Sequence, residues 1–432
     1  MDGKSQDDID QAWEALSDPP SDVGHGGDHG HSHPHSHQLP GSWETWLQHS
    51  VLRVILGALA VVAVVSVLAL AMLWPDGSGR EFAEEQAIDS GLNFKQFDAR
   101  IVSVSDEICP DFEGNLVLTC RSYAFVPESG PDAGAVVVDE LVLGQAGFTP
   151  QVSAGDEVIY SYDESLGRYH YEDKQRSTPL LLLLALFAVV VIALGRLRGA
   201  FALLSMVVTV AVLFAFVVPS VLDGNNPILV CAVGASVVAY LSLFLTHGWN
   251  PTTTVALAGT LAALALTLGV SWVFFNWSDF AGNSGEYGLI LPLLNEEINI
   301  SALLLGGAII GALGAVDDVT VTQVATVAEL KRADPSMGMT KLVTAGIRVG
   351  REHIASTVNT LLLAYAGASM PLLLSASVLS PSFSATANSE EVAIEIVRTL
   401  CGSVGLVAAV PLTTFLAAVL VVNSPRAMAA AE

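Results

Sequence analysis

Long apolar runs alternate with short polar breaks over most of this chain, and the runs are of membrane length. A helix needs about 20 apolar residues to cross a bilayer. The first run is "VLRVILGALAVVAVVSVLALAMLW" from Val51, and others begin near Pro179, Ala200, Pro227, Thr252, Ser301, Ile354 and Val392. Two are interrupted: Asp317 and Asp318 fall in the run from Ser301, and Glu395 and Arg398 in the run from Val392. The pattern predicts an α-helical polytopic membrane protein of about eight transmembrane helices.

The segments between runs differ. Residues 76–177 replace long apolar runs with short stretches rich in Val, Ile and Tyr: "ARIVSVS", "NLVLTCRSYAF", "AVVVDELVLG", "DEVIYSYD" and "GRYHY". Turn clusters such as "PESGPDAG" separate them, as between strands. Five short strands predict a small, OB-like, β-barrel-like insert between helices 1 and 2. Residues 1–48 hold too few apolar positions to offset chain entropy and are expected to be a disordered tail, apart from a short helix at "DDIDQAWEALSD". The domains are therefore 1–48, a first span at 51–74, the insert at 76–177, and a helical bundle at 178–424.

Charge orients this plan. With the N-terminus inside, the inner segments hold Arg196, Arg198, Lys331, Arg332, Lys341, Arg348, Arg351 and Arg426, whereas the outer loops near Leu222, Gly282 and Pro381 hold no Lys or Arg. That bias places both termini in the cytoplasm and the insert outside. No cleaved signal peptide is expected, because some fifty residues precede the first run and it exceeds an h-region in length. The net charge of −25 disfavours nucleic acid as a partner. The expected partners are the lipid bilayer and a small solute or ion; association into a homo-oligomer stays open.

Enzymatic signatures of the Walker A, H-E-x-x-H, G-x-S-x-G and C-x-x-C types do not occur, so no enzyme is expected. The four cysteines divide by context. Cys231 and Cys401 lie in apolar runs and read as packing residues; Cys109 and Cys120 lie in the insert, where a disulfide and two thiols are equally compatible with the sequence.

The stretch richest in candidate chemistry is "LLLGGAIIGALGAVDDVTVTQVATVAELKRADP", from Leu303. At 100° per residue, Gly307, Gly311 and Gly314 share one face, a seam that lets a neighbouring helix approach. Asp318 falls on the same face, with Thr322 and Glu329 beside it, and is expected to point into the bundle. A carboxylate there marks an ion or substrate path; the plainer reading is a hydrated pair, Asp317 and Asp318, at the cytoplasmic interface. Ser356, Asn359 and Thr360 share a face of the next span and are expected to join the two carboxylates around an oxygen-lined vestibule, or else to make ordinary interhelical hydrogen bonds. Glu395 and Arg398, spaced i, i+3, read as an ion pair, and His247 as a loop residue.

"GALGAVDDVTVTQVATVAELKRADP" and "LVTAGIRVGREHIASTVNTLLLAYAGASMPLLL" resemble the central block of YibE/F-like membrane proteins, as do "HGWNPTTTVALAGT" and "AGDEVIYSYDE". The resemblance covers about residues 95–420. In its pattern Asp318 matches the family's aspartate, whereas Asp317 stands where that family commonly has Met. It implies a multi-pass protein of the bacterial plasma membrane and brings no substrate.

The tail carries "GHGGDHGHSHPHSH", with His25, His29, His31, His33, His35 and His37 alternating in a flexible context. Neutral imidazoles so spaced gather divalent transition metals, although such tracts also arise as compositional drift. No cofactor is certain, and a divalent metal ion is the candidate. The leading expectation is a transporter or permease for a small solute or ion, a divalent metal being the sharper version, with Asp318 its principal polar group. The competing one is a non-transporting scaffold or sensor whose insert binds a ligand or partner.

Overall fold

The computed structural model describes residues 46–423, apart from 91–94, 111–115, 143–150, 164–166, 283–284, 296–297 and 380–381. The alternating histidines of 25–37, Arg426 and the helix expected at "DDIDQAWEALSD" lie outside the described residues.

The chain is mostly helical. In order, the elements are α1 (Ser50–Met72), α2 (Ser78–Asp89), β1 (Lys95–Pro110), β2 (Leu116–Pro127), β3 (Val137–Val142), β4 (Glu157–Asp163), β5 (Arg168–Lys174), α3 (Ser177–Val212), a π-helical turn at Leu213–Val217, α4 (Val218–Leu222), α5 (Pro227–His247), α6 (Pro251–Trp277), α7 (Gly285–Leu294), α8 (Ile300–Ala333), α9 (Met339–Ala368), α10 (Met370–Leu379), α11 (Phe383–Asn388) and α12 (Glu390–Val422). Among the described residues six helical stretches are long and apolar enough to cross a membrane: α1, Ser177–Leu222, α5, α6, α8 and α12. A further pair, Met339–Ala368 with Met370–Val378, meets the same test together but is bent by 64°.

Local chemistry sets the helix boundaries. Asn226 accepts from the amides of Ile228 and Leu229 and precedes Pro227; Asn250 accepts from the Thr253 amide and precedes Pro251; Asn299 accepts from the Ala302 amide. Each side chain satisfies amides that the first helical turn leaves open, and proline fits where no amide donor is needed. The Ser177–Leu222 run is broken at Arg196, where φ is 52° and ψ −132°. The chain reverses so sharply there that a Cβ on Gly199 would lie 2.3 Å from the Val191 carbonyl oxygen. Glycine is what permits that approach.

Helices α6, α8 and α12 form the centre of the bundle. A buried amide braces it: Gln323 Nε2 donates to the Gly346 carbonyl at 2.8 Å and to Thr414 Oγ1 at 2.7 Å, tying α8 to α9 and α12. Apolar layers sit on either side. Phe275, Leu305 and Ile394 close the end nearer the sheet. Leu52, Leu243, Val324, Val327, Leu342 and Val421 belong to the core at the opposite end.

All five strands predicted from the insert form, and among the described residues they make a curled sheet that does not close into a barrel. The sheet order is β3-β2-β1-β4-β5, with every neighbouring pair antiparallel. Among the described residues β3 and β5 stay at opposite edges. The long β1 explains this: Lys95–Arg100 pairs with β4, whereas Ala99–Pro110 pairs with β2, across a bulge between Ile101 and Ser103. One strand serving two partners at its two ends curls the sheet without closing it. Phe125 and Tyr160 stack at 3.7 Å inside the curl, with Ala99, Ile101 and Val158. The backbone register sets Cys109 opposite Leu118 and Cys120 opposite Glu107; their side chains lie outside the described set.

At the turn before β4, Asp156 Oδ2 accepts from Lys174 Nζ at 2.8 Å and from the Ser153 amide at 2.9 Å. The Lys174 hydrogen bond, followed by the Ser153 amide, holds the Asp156 carboxyl below its ordinary 3.8. A depressed folded-state value stabilises the fold above pH 3.8 and loses that contribution as pH falls below it. Protection factors against amide exchange at the β4–β5 edge are therefore expected to fall between pH 4 and pH 3, once the slower intrinsic rate at lower pH is divided out, and Asp156→Asn is expected to flatten that pH dependence.

The sequence reading contains no helix in the insert's first residues, yet α2 forms there, and the bundle caps it. Asp223, just past α4, accepts from the amides of Asp76 (2.7 Å), Gly77 (3.2 Å) and Gly79 (2.8 Å). A Cβ on Gly79 would stand 2.0 Å from the Leu222 carbonyl oxygen, so only glycine allows this docking. Asn295 donates to the same carbonyl at 3.1 Å. Asp223→Ala is expected to cost about 1 kcal/mol locally, read as loss of amide-exchange protection at Gly77–Gly79 with the bundle's protection unchanged.

Candidate functional site

The chemistry centres on α8, a helix of 34 residues with the Asp317–Asp318 pair at its middle. Asp318 does share a face with Gly307 and Gly311, as the 100° rule requires. That face, however, does not point inward. A Cβ on Gly307 or Gly314 would meet no atom within 4 Å among the described residues, and one on Gly311 would meet only the Tyr365 side chain. The glycine that admits a neighbouring helix is Gly306, where a Cβ would lie 2.5 Å from Cys231 Sγ. Asp318 is accordingly open, its side chain 75% exposed, with His353 Nε2 at 3.8 Å. Thr322 and Glu329 are exposed too. The expectation that Asp318 enters the bundle is therefore corrected. The inward face is the one on which Leu305, Ile309, Ala312, Val316 and Val319 pack against their neighbours.

Asp317 turns the other way. Its Oδ2 accepts from Ser242 Oγ of α5 at 3.0 Å. Its Oδ1 is buried and has no hydrogen-bond partner among the described residues. Next to it, the hydroxyls of Thr260 and Thr320 meet at 2.8 Å, and Thr320 also donates to the Asp317 carbonyl at 3.0 Å. Ser242 is five residues from the end of α5 and Thr260 nine from the start of α6. At 1.5 Å per residue the cluster lies roughly 8–14 Å inside the end opposite the sheet.

Asp317 also lines a cavity of about 380 Å³ between the second half of α3, α5 and α8. Among the described residues that line it, Ser205, Thr209 and Ser242 contribute hydroxyls, Gly314 leaves open space, and none is Lys, Arg or His. Leu213, the first residue of the π-helical turn, is in its wall. Such turns widen a helix locally and recur at functional sites.

The remaining predicted residues do not join this cluster. Ser356 and Thr360 lie about 200° around α9 from Ile354 and Val358, the positions that pack on the core, and both are exposed with Asn359. Thr360 Oγ1 bonds back to the Ser356 carbonyl at 3.0 Å. The vestibule expected of Asp317, Asp318, Ser356, Asn359 and Thr360 is therefore not assembled: α9 spends its apolar face on the bundle and turns its polar face out. The Glu395–Arg398 pair does form, at 2.7 Å. Cys231 and Cys401 are buried, as packing residues are, and His247 is exposed at the end of α5. Ser242 escaped the sequence reading because a lone serine in an apolar run carries no signal.

Among the described residues no three His, Cys, Asp or Glu side chains converge as metal ligands do. A carboxylate with one serine and neighbouring threonines falls short of the six to eight oxygens that Ca²⁺ takes.

Helices long and apolar enough to cross a membrane, joined to a small curled sheet, are consistent with a membrane protein. The YibE/F-like protein family matches residues 183–423, more than half of the chain, and the chain belongs to that family. No curated protein and no solved structure matches it.

Proposed function

We propose that this chain is a permease of the bacterial plasma membrane for a small solute or ion, with Asp317 as its exchangeable polar centre. The observation that carries this reading is the Asp317 carboxyl itself: a hydrogen bond from Ser242, a buried oxygen with no hydrogen-bond partner among the described residues, and a cavity alongside. An anion so poorly compensated costs several kcal/mol to hold, and it is relieved by a proton or a cation arriving through the cavity. The metal version of the expectation draws no support from this site, where one carboxylate stands among hydroxyls. A proton exchanged against a small solute suits it better.

The reading takes eight crossings: the six long stretches, one more from the reversal at Arg196, and the bent α9–α10 pair. An even number puts both termini on one side. Arg196, Arg198, Lys331, Arg332, Lys341, Arg348 and Arg351 fall at or near the helix ends opposite the sheet in this reading, and their bias supports taking that end as cytoplasmic. The sensor reading draws on one observation, the three bonds by which Asp223 joins α2 to the bundle, since a signal from the insert needs such a joint.

The test uses the full chain in proteoliposomes that trap a pH dye. Na⁺, K⁺, Zn²⁺ and small organic solutes are added one at a time across a pH step. Protein-dependent proton movement that requires one of them supports the proposal. Traces identical to those of protein-free vesicles for every addition would overturn it.

A further inference from the structure

Resting on the permease reading, we infer that the cavity beside Asp317 takes a small amphiphilic amine, with the ammonium at the carboxyl and the apolar body between α3, α5 and α8. Three features of the cavity point to that chemistry. Its volume of about 380 Å³ is in the range of small-ligand sites rather than single ions. Its charge is one-sided, because Asp317 lines it and no Lys, Arg or His does. Its remaining walls are chiefly Ala, Val, Ile, Leu, Met and Gly, which cannot replace the hydration shell of an inorganic cation but do cover an alkyl or aryl group.

The polar atoms match one donor group and little more. Asp317 brings a buried Oδ1 that has no partner among the described residues. Thr209 Oγ1 already donates to the Ser205 carbonyl at 3.0 Å and keeps acceptor capacity. An ammonium needs acceptors, and a carboxylate with hydroxyl oxygens supplies them. Met206 and Gly314, both lining the cavity, are exposed at the bundle surface. A ligand that partitions into the bilayer therefore meets the cavity from the side.

Benzylamine is the probe, and benzyl alcohol its uncharged counterpart. Equilibrium binding of radiolabelled benzylamine is measured on the purified full-length protein in detergent. Saturable binding is expected, displaced by unlabelled benzylamine and poorly by benzyl alcohol. Asp317→Asn is expected to weaken it at least tenfold, the worth of one charge-assisted hydrogen bond. Gly314→Leu leaves the carboxyl intact, fills the cavity and is expected to weaken binding comparably; Gly307→Leu, on the same open face but outside the cavity, is expected to stay within twofold. Melting temperatures establish that each variant is folded. No saturable binding to wild type, or binding unaffected by Asp317→Asn, would overturn the inference. Proton movement coupled to another solute without benzylamine binding sinks the inference and leaves the permease standing. Benzylamine binding with silent vesicles does the reverse.

Discussion

Asp317→Asn is expected to remove solute-coupled proton movement by a factor of about 100 or more, while Asp318→Asn keeps it within a few-fold of wild type. The substitution preserves shape and a hydrogen-bond partner for Ser242 Oγ, but asparagine neither binds nor releases a proton. Asp318 is the contrasting case. Its side chain is open, with His353 Nε2 at 3.8 Å, so losing its charge changes little inside the bundle. Vesicle flux at matched protein density measures both. Equal loss in the two variants would return the function to the residue that carries the family resemblance, and equal tolerance would remove the carboxyl pair from the mechanism.

Gly405→Ala is expected to be among the most damaging one-methyl changes in the chain. Helices α6 and α12 cross at two reciprocal contacts: a Cβ on Gly405 would stand 1.8 Å from Thr267 Oγ1, and one on Gly259 would stand 2.2 Å from Thr413 Oγ1. Thr267 cannot simply rotate away, because its hydroxyl donates to the Ala263 carbonyl at 2.9 Å. Overpacking of this kind costs roughly 1–3 kcal/mol per site. The double variant Gly259→Ala with Gly405→Ala is expected to lose monodisperse protein in detergent altogether. Trimming the opposing side chain offers the control: Thr267→Ala should restore much of the melting temperature lost by Gly405→Ala. A cycle with no such coupling would place the damage elsewhere.

The apolar helices and the strands were legible because each rests on a local rule. Runs of apolar residues, period-two Val and Tyr stretches, and Asn-Pro pairs at Asn226–Pro227 and Asn250–Pro251 act within a turn or two of themselves. Closure of the sheet was not legible. It depended on how β1 divides its two edges between β2 and β4, which no stretch of sequence records. Helix α2 was missed for a related reason: its cap, Asp223, is 144 residues away from Gly79.

The site divides along the same line. The sequence determined that Asp318 shares a helix face with Gly307 and Gly311, that Asp317 is turned about 100° from it, and that a charged pair interrupts an apolar run. Those relative angles all hold. Only the tertiary structure decided which face turns inward, brought Ser242 and Thr260 to Asp317 from α5 and α6, and left Ser356, Asn359 and Thr360 on the outside of α9. The physical reason is that a long apolar helix has hydrophobic residues on most of its sides, so hydrophobicity ranks its faces weakly. The packing of Leu305, Ile309, Val316 and Val319 against their neighbours made the choice instead, and with it moved the centre of the chemistry by one residue.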